Sequence, residues 1–168
     1  MTGRRLSLTV FVILTALCVA QSLYYYSLLP DRMASHFGSS GRPDAWSSKA
    51  EFVTFYLAII GLLIVLFPGI AFGISSIPVS LMSLPNKEYW LSPEHRQETF
   101  DFLFQHALWL GSAALVFLID IFHQVFRVNM GKTNALDHPM LSIGIFAAFT
   151  TVWVIGLFIK FRGSGRVA

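Results

Sequence analysis

Charged side chains are scarce in this chain. Only 12% of its 168 residues are Asp, Glu, Lys or Arg, whereas 55% are hydrophobic and the mean hydropathy is +0.63. Soluble domains contain about 25% charged residues and rarely expose large apolar patches. The composition therefore excludes an ordinary soluble domain. It predicts an integral membrane protein whose first partner is the lipid bilayer.

Cysteine and recognisable catalytic motifs are also nearly absent. Cys18 is the only cysteine and lies within an apolar run, which excludes an intrachain disulfide and a cysteine-rich metal cluster. The 12 Lys and Arg residues form no basic run, so we expect no nucleic-acid partner. There is no glycine-rich phosphate loop, nucleophile elbow or pair of histidines four apart. We therefore predict no catalytic residue, no cofactor and a non-enzymatic protein.

Four apolar segments are long enough to cross the hydrocarbon core, about 30 Å thick, as helices. They cover residues 6–26, 52–75, 102–126 and 140–159. Their apolar residues run continuously and do not alternate with polar ones, which excludes a membrane β-barrel. The sequence predicts an all-α integral membrane fold, with residues 1–168 forming a single four-span domain.

The distribution of basic residues gives the orientation. With the N-terminus in the cytoplasm, seven basic residues lie inside and five outside. The inner residues are Arg4, Arg5, Lys87, Arg96, Lys160, Arg162 and Arg166, and the outer ones are Arg32, Arg42, Lys49, Arg127 and Lys132. The positive-inside rule then predicts cytoplasmic N- and C-termini and an extracytoplasmic loop 27–49.

Two connections between the spans have distinct compositions. Loop 27–49 is hydrophilic, rich in turn formers and long for a passive link. Segment 76–91 mixes apolar residues with prolines and ends in aromatic residues, which predicts an interfacial segment on the membrane surface. Ser92 followed by Pro93 is typical of an N-cap and a first helical residue, so the third helix is expected to begin at Pro93.

The third span contains ionisable residues, which are costly in a membrane and usually face the bundle interior or a wet cavity. Asp120 and His123 are three residues apart and share a helix face. They can form a structural carboxylate–imidazole pair, relay a proton or bind a metal, and two ligands alone do not define a metal site. Further ligands on the same side would be His36, Asp31, Asp44 and His138.

A second cluster lies at the start of the third helix. Glu94, Glu98 and Asp101 share one helix face, with His95 beside them and His106 further along the helix. Acidic residues in the first turns of a helix complement its dipole and keep it solvated. The alternative is a cation or polar-ligand site at the cytoplasmic mouth of the bundle.

The first loop carries a recognisable pattern directly after a membrane span. It consists of Leu29-Pro30, His36-Phe37 and Gly41-x-Pro43-Asp44-x-Trp46-x-x-Lys49. Over about residues 6–70 the chain resembles the bacterial membrane domain of unknown function 1648, found at the N-terminus of SdpI-like immunity proteins. The SdpI-type second half is not recognisable after residue 100.

The resemblance implies a multi-pass protein of the bacterial cytoplasmic membrane with an extracytoplasmic first loop. It also implies a function in toxin immunity or in signalling the presence of a toxin. The residues it points to are Pro30, His36, Phe37, Gly41, Pro43, Asp44 and Lys49. A bland alternative is that Asp44 bonds to the backbone and pairs with Lys49.

These observations lead to one functional hypothesis and two alternatives. We expect loop 27–49 and the outer end of the third helix to form a binding or sensing surface for an extracytoplasmic peptide or protein. The first alternative is a metal- or proton-handling transporter or membrane enzyme that uses the polar residues of the third span. The second is an accessory subunit with a membrane-protein partner.

Overall fold

Four long helices dominate the computed structural model, which describes residues 2–163. They are α1 (Thr2–Tyr26), α2 (Lys49–Gly73), α4 (Arg96–Asn129) and α5 (Pro139–Gly163). Each is long and apolar enough to cross a membrane. This confirms the prediction of a mostly helical, multi-pass membrane protein.

The helix ends differ from the predicted spans by up to six residues, the largest difference being at the start of α4. The third long helix was expected to begin at Pro93 but begins at Arg96. The backbone carbonyl of Ser92 accepts hydrogen bonds from the N–H groups of His95 and Arg96, and residues 92–95 form a separate turn before the helix. Arg166, which was counted in the orientation argument, lies outside the described residues.

Loop 27–49 contains a β-hairpin that the sequence interpretation missed. Strand β1 (Arg32–Phe37) pairs antiparallel with β2 (Pro43–Ser48), and the ladder is irregular between Ala34 and Phe37. Gly41 adopts a positive φ of 73° in the turn, a conformation that favours glycine.

The hairpin leads directly into α2 through a capping box. The Ser48 hydroxyl accepts a hydrogen bond from the Glu51 N–H, and the Glu51 carboxylate accepts one from the Ser48 N–H. This reciprocal pair satisfies two backbone donors at the helix start. The junction therefore fixes the direction in which β2 enters the helix.

The core is formed by α1, α2 and α4, which surround buried Phe11, Cys18, Tyr56, Leu108 and Leu115. Helix α5 packs beside α4 at the edge of this group. Within Pro139–Gly163, Phe161 alone is buried. The molecule is thus a three-helix core with a fourth helix on its outside.

The segment between α2 and α4 lies at the end of the core away from the hairpin, where it contacts α5. It contains two 3-10 turns, Ile74–Ser76 and Val79–Leu81, and the short helix α3 (Lys87–Trp90). The Trp90 indole N–H and the Asn86 side-chain amide both donate to the Phe161 carbonyl, each at 3.1 Å. The C-terminal end of α5 is therefore held by this segment.

Candidate functional site

The hairpin lies against the end of α4 and is attached to it by Asn129. The Asn129 side-chain oxygen accepts from the Ala34 N–H at 2.7 Å, and its amide donates to the Ala34 carbonyl at 3.2 Å. Ala34 faces Trp46 across the ladder, and its backbone groups point away from β2. The amide thus takes the place of a neighbouring strand at this edge.

The tip of the hairpin is held by the loop between α4 and α5. The Gly41 carbonyl accepts from the Leu136 N–H at 2.9 Å. An ion pair of 3.0 Å between Arg127 and Asp137 fastens that loop to the end of α4. We call residues 32–48 and 130–138 together the cap.

The cap brings together two of the predicted site residues. His36 Nδ1 lies 2.5 Å from Asp44 Oδ1, and both side chains are exposed to solvent, by 71% and 51%. Asp44 projects from an irregular part of the ladder, where it has no directly opposed residue. The His36–Asp44 pair therefore presents its polar atoms at the surface of the cap.

Lys49 has different partners from those considered in the sequence. Its ammonium group donates to the Leu29 carbonyl at 3.0 Å and lies 3.5 Å from the Asp31 carboxylate. The alternative of an Asp44–Lys49 ion pair is wrong, because Asp44 lies near the hairpin tip and Lys49 at its base. Asp31 and Lys49 close the hairpin where it joins the helices.

A cleft of about 540 Å³ separates the hairpin from the adjoining ends of α2 and α4. We call it the cap cleft. Its polar side is formed by hairpin residues and the first turn of α2, and its apolar side by aromatic residues of α2 and α4. The principal lining residues are His36, Phe37, Ser47, Glu51, Phe55 and Phe122.

Asp120 and His123 do not form the pair that their spacing predicted. The Asp120 carboxylate accepts from the Gln124 amide at 2.9 Å and from the Ser142 hydroxyl at 2.5 Å. His123 Nδ1 lies 3.0 Å from the Tyr25 hydroxyl. Each side chain finds its partner on a different neighbouring helix, Asp120 on α5 and His123 on α1.

The candidate metal ligands are not brought together. Within residues 2–163, no group of three His, Cys, Asp or Glu side chains is placed to hold a metal ion. His138 approaches Asp120 only indirectly: its backbone N–H donates to the Gln124 side-chain oxygen, at 3.1 Å. His36 and Asp44 contact each other on the cap and have no third ligand beside them among the described residues.

The acidic cluster at the start of α4 separates into structural and surface residues. Asp101 accepts from the Arg4 guanidinium at 3.0 Å and from the Gln97 amide at 3.0 Å, which joins α1 to α4. Glu98 is exposed. Glu94 is also exposed, and hydrogen bonds from its own backbone N–H and from the Ser92 hydroxyl lower the pKa of its carboxyl group.

The two histidines of this region are engaged in stacking. The His95 ring lies 4.2 Å from the Tyr89 ring, and the His106 ring lies 4.4 Å from the Trp153 ring. The first contact lies within the segment that precedes α4, and the second ties α4 to α5. These contacts and the Arg4–Asp101 pair engage His95, His106 and Asp101 with other parts of the molecule.

Residues 13–62 match the model of a family described as Domain of unknown function (DUF1648). This confirms the resemblance predicted from the first loop. No curated protein and no solved structure matches the chain.

The DUF1648 segment covers the second half of α1, the whole hairpin and the first half of α2. It includes His36, Asp44 and the polar side of the cap cleft. Asn129, which holds the hairpin, and Phe122, which lines the cleft, lie outside this segment. The cleft therefore forms between the DUF1648 segment and the second half of this chain.

Polar residues inside the first two spans were missed by the sequence interpretation, which treated these spans as plain apolar anchors. The Tyr56 hydroxyl donates to the Gln21 side-chain oxygen at 2.8 Å, and the Gln21 amide donates to the Ile119 carbonyl at 2.9 Å. These bonds join α1, α2 and α4. A glutamine within an apolar span was the available signal, because such residues usually bond across helices.

Proposed function

We propose that this chain is a non-enzymatic protein of a bacterial cytoplasmic membrane whose cap cleft binds an extracytoplasmic peptide or protein segment. The observation that carries this proposal is the cap cleft itself, about 540 Å³ in volume and lined by both polar and aromatic groups. Pockets that bind small ligands or side chains commonly have volumes of about 300–1,000 Å³.

The chemistry of the lining favours a peptide. His36 and Glu51 in the lining, and Asp44 next to His36, offer hydrogen-bonding groups that can meet peptide backbone amides or basic side chains. Phe55, which is 62% exposed, and Phe122 offer apolar surface for a hydrophobic side chain. A peptide presents both kinds of group within a few residues.

The exposed surface of the hairpin extends this binding surface. Trp46 is 51% exposed, and the Arg32 guanidinium lies 5.7 Å from its ring. Exposed aromatic and arginine side chains are enriched among the residues that dominate protein interfaces. Binding of a secreted toxin at this surface would support an immunity or signalling function like that of SdpI-like proteins.

The proposal is tested by binding of secreted peptides to the purified protein in nanodiscs. Peptides secreted by the source bacterium are incubated with the protein, and a retained peptide is identified by mass spectrometry, synthesised and titrated. We expect H36A/D44A to weaken its binding by about tenfold, which corresponds to about 1.4 kcal/mol. S47W fills the cleft from the hairpin side and is expected to abolish binding.

The matched control is S40W, which adds the same side chain at the exposed hairpin turn, outside the residues that line the cleft. It is expected to bind like the unaltered protein. Equal affinity of the unaltered protein, H36A/D44A and S47W would contradict the proposal. Protection of a sensitive strain by the unaltered protein, and not by S47W, would assign the binding to immunity.

A further inference from the structure

A second cleft, about 590 Å³ in volume, lies between α4 and α5 and is separate from the cap cleft. Its polar end lies near the cap and contains Asp120, His138 and Ser142. From there it extends between the two helices along Phe117, Ile145, Phe146 and Phe149. We call it the lateral cleft.

The lateral cleft is short enough along α4 to lie within one leaflet of a bilayer. The lining residues of α4 extend from Asp120 back to Ala113, which corresponds to about 10 Å of helix. Half of the hydrocarbon core is about 15 Å thick. The polar end lies nearer the end of the helix and the aromatic end lies deeper. This is the arrangement of a lipid with its head near the membrane surface.

The negative charge of Asp120 at the polar end of the lateral cleft indicates which lipid head group would bind there. Both hydrogen bonds from Gln124 and Ser142 end on the Asp120 oxygen Oδ2, and none described for residues 2–163 ends on Oδ1. Within the same residues, no Lys, Arg or His nitrogen lies within 4.0 Å of this carboxylate. A carboxylate in a membrane span without a cation partner favours a cationic ligand.

We infer that the lateral cleft binds a phospholipid with a primary-amine head, the ammonium group meeting Asp120 and one acyl chain lying between α4 and α5. The exposure of α5 supports access from the bilayer, since Ile145 is 62% exposed and Leu141 is 61% exposed. The Phe117 and Phe146 rings stack at 4.8 Å and form a wall for the chain.

Native mass spectrometry of protein released from nanodiscs tests this inference. The nanodiscs contain equal amounts of phosphatidylethanolamine and phosphatidylglycerol. We expect the unaltered protein to retain phosphatidylethanolamine about threefold over phosphatidylglycerol, the range of a partly exposed ion pair. D120N is expected to bring the ratio to about one, because Asn keeps the size of Asp and loses its charge.

Two further variants make the outcome decisive. I145W fills the cleft from an exposed position while keeping Asp120, and is expected to remove the bound lipid. D44N removes a carboxylate from the cap and is expected to keep the threefold preference. The inference is overturned if D120N retains the preference, if I145W retains the lipid, or if the unaltered protein retains phosphatidylglycerol equally. These results are independent of peptide binding at the cap cleft.

Discussion

Individual polar side chains form hydrogen bonds between neighbouring elements. Apolar packing alone would not determine which faces of these elements meet. Gln21 and Tyr56 bond to each other within the spans, and Asn129 bonds to the hairpin at the end of α4. Polar contacts between membrane helices contribute modestly, about 0.6 kcal/mol on average. They define which faces of the helices meet.

Asn129 is expected to control the attachment of the hairpin. N129A leaves the buried Ala34 N–H and carbonyl without their partners, which costs about 1–3 kcal/mol. Hydrogen exchange followed by mass spectrometry should show faster exchange across Arg32–Phe37. N134A, at an exposed position of the next loop, serves as the control. Unchanged protection of β1 in N129A would show that Asn129 does not hold the hairpin.

The Gln21–Tyr56 bond is suited to a double-mutant cycle. We expect Q21L and Y56F to be non-additive in thermal or denaturant unfolding in detergent, with a coupling energy of about 0.6 kcal/mol. The coupling arises because the Tyr56 hydroxyl donates to the Gln21 side chain at 2.8 Å. Strict additivity would mean that the two side chains contribute independently.

The partners of Asp120 and His123 could not be predicted from their spacing in the sequence. Their spacing placed them on one face, but neighbouring residues on a helix are also able to turn toward different helices. Asp120 bonds to Ser142 and His123 to Tyr25 because those helices supply nearer hydroxyl groups. The choice depends on tertiary packing, which a single helix does not encode.

The capping box formed by Ser48 and Glu51 is expected to stabilise the first turn of α2. S48A removes the hydroxyl that accepts from the Glu51 N–H, and loss of an N-cap costs about 1 kcal/mol. Faster exchange of the first amides of α2 and a lower unfolding temperature are expected. S40A is the control, since Ser40 lies at the exposed hairpin turn. Equal behaviour of the two variants would contradict the capping function.

Elements differed in how well the sequence predicted them. The four long helices were predictable because about 20 apolar residues in succession have few other stable arrangements. The hairpin was not, because its strands are short, rich in serine and irregular in register near His36. Much of its support comes from Asn129 and Leu136, which are distant in sequence.

Packing of the whole core depends on a close approach of helices at Gly111. A Cβ atom there would lie 2.6 Å from Phe67 and 2.8 Å from Phe11. We therefore expect G111A to destabilise the protein by about 1–3 kcal/mol through overpacking, measured by thermal unfolding in detergent. G144A in α5 is the matched control, because a Cβ atom there meets nothing within 4 Å. Equal stability of the two variants would contradict this packing.

The orientation of the whole molecule decides whether an extracytoplasmic ligand reaches the cap. The cap lies at one end of the bundle and helix α3 at the other, so the two ends must face opposite sides of the membrane. Cys18 is fully buried and should give little background in thiol labelling. Single cysteines at exposed Ser40 and Glu88 therefore report on the two ends.

The most direct test of this account is labelling of S40C and E88C in intact cells with a membrane-impermeant maleimide. We predict that S40C is labelled in intact cells and that E88C is labelled only after the cells are permeabilised. The opposite pattern, with E88C labelled in intact cells and S40C protected until permeabilisation, would place the cap in the cytoplasm and contradict binding of an extracytoplasmic ligand.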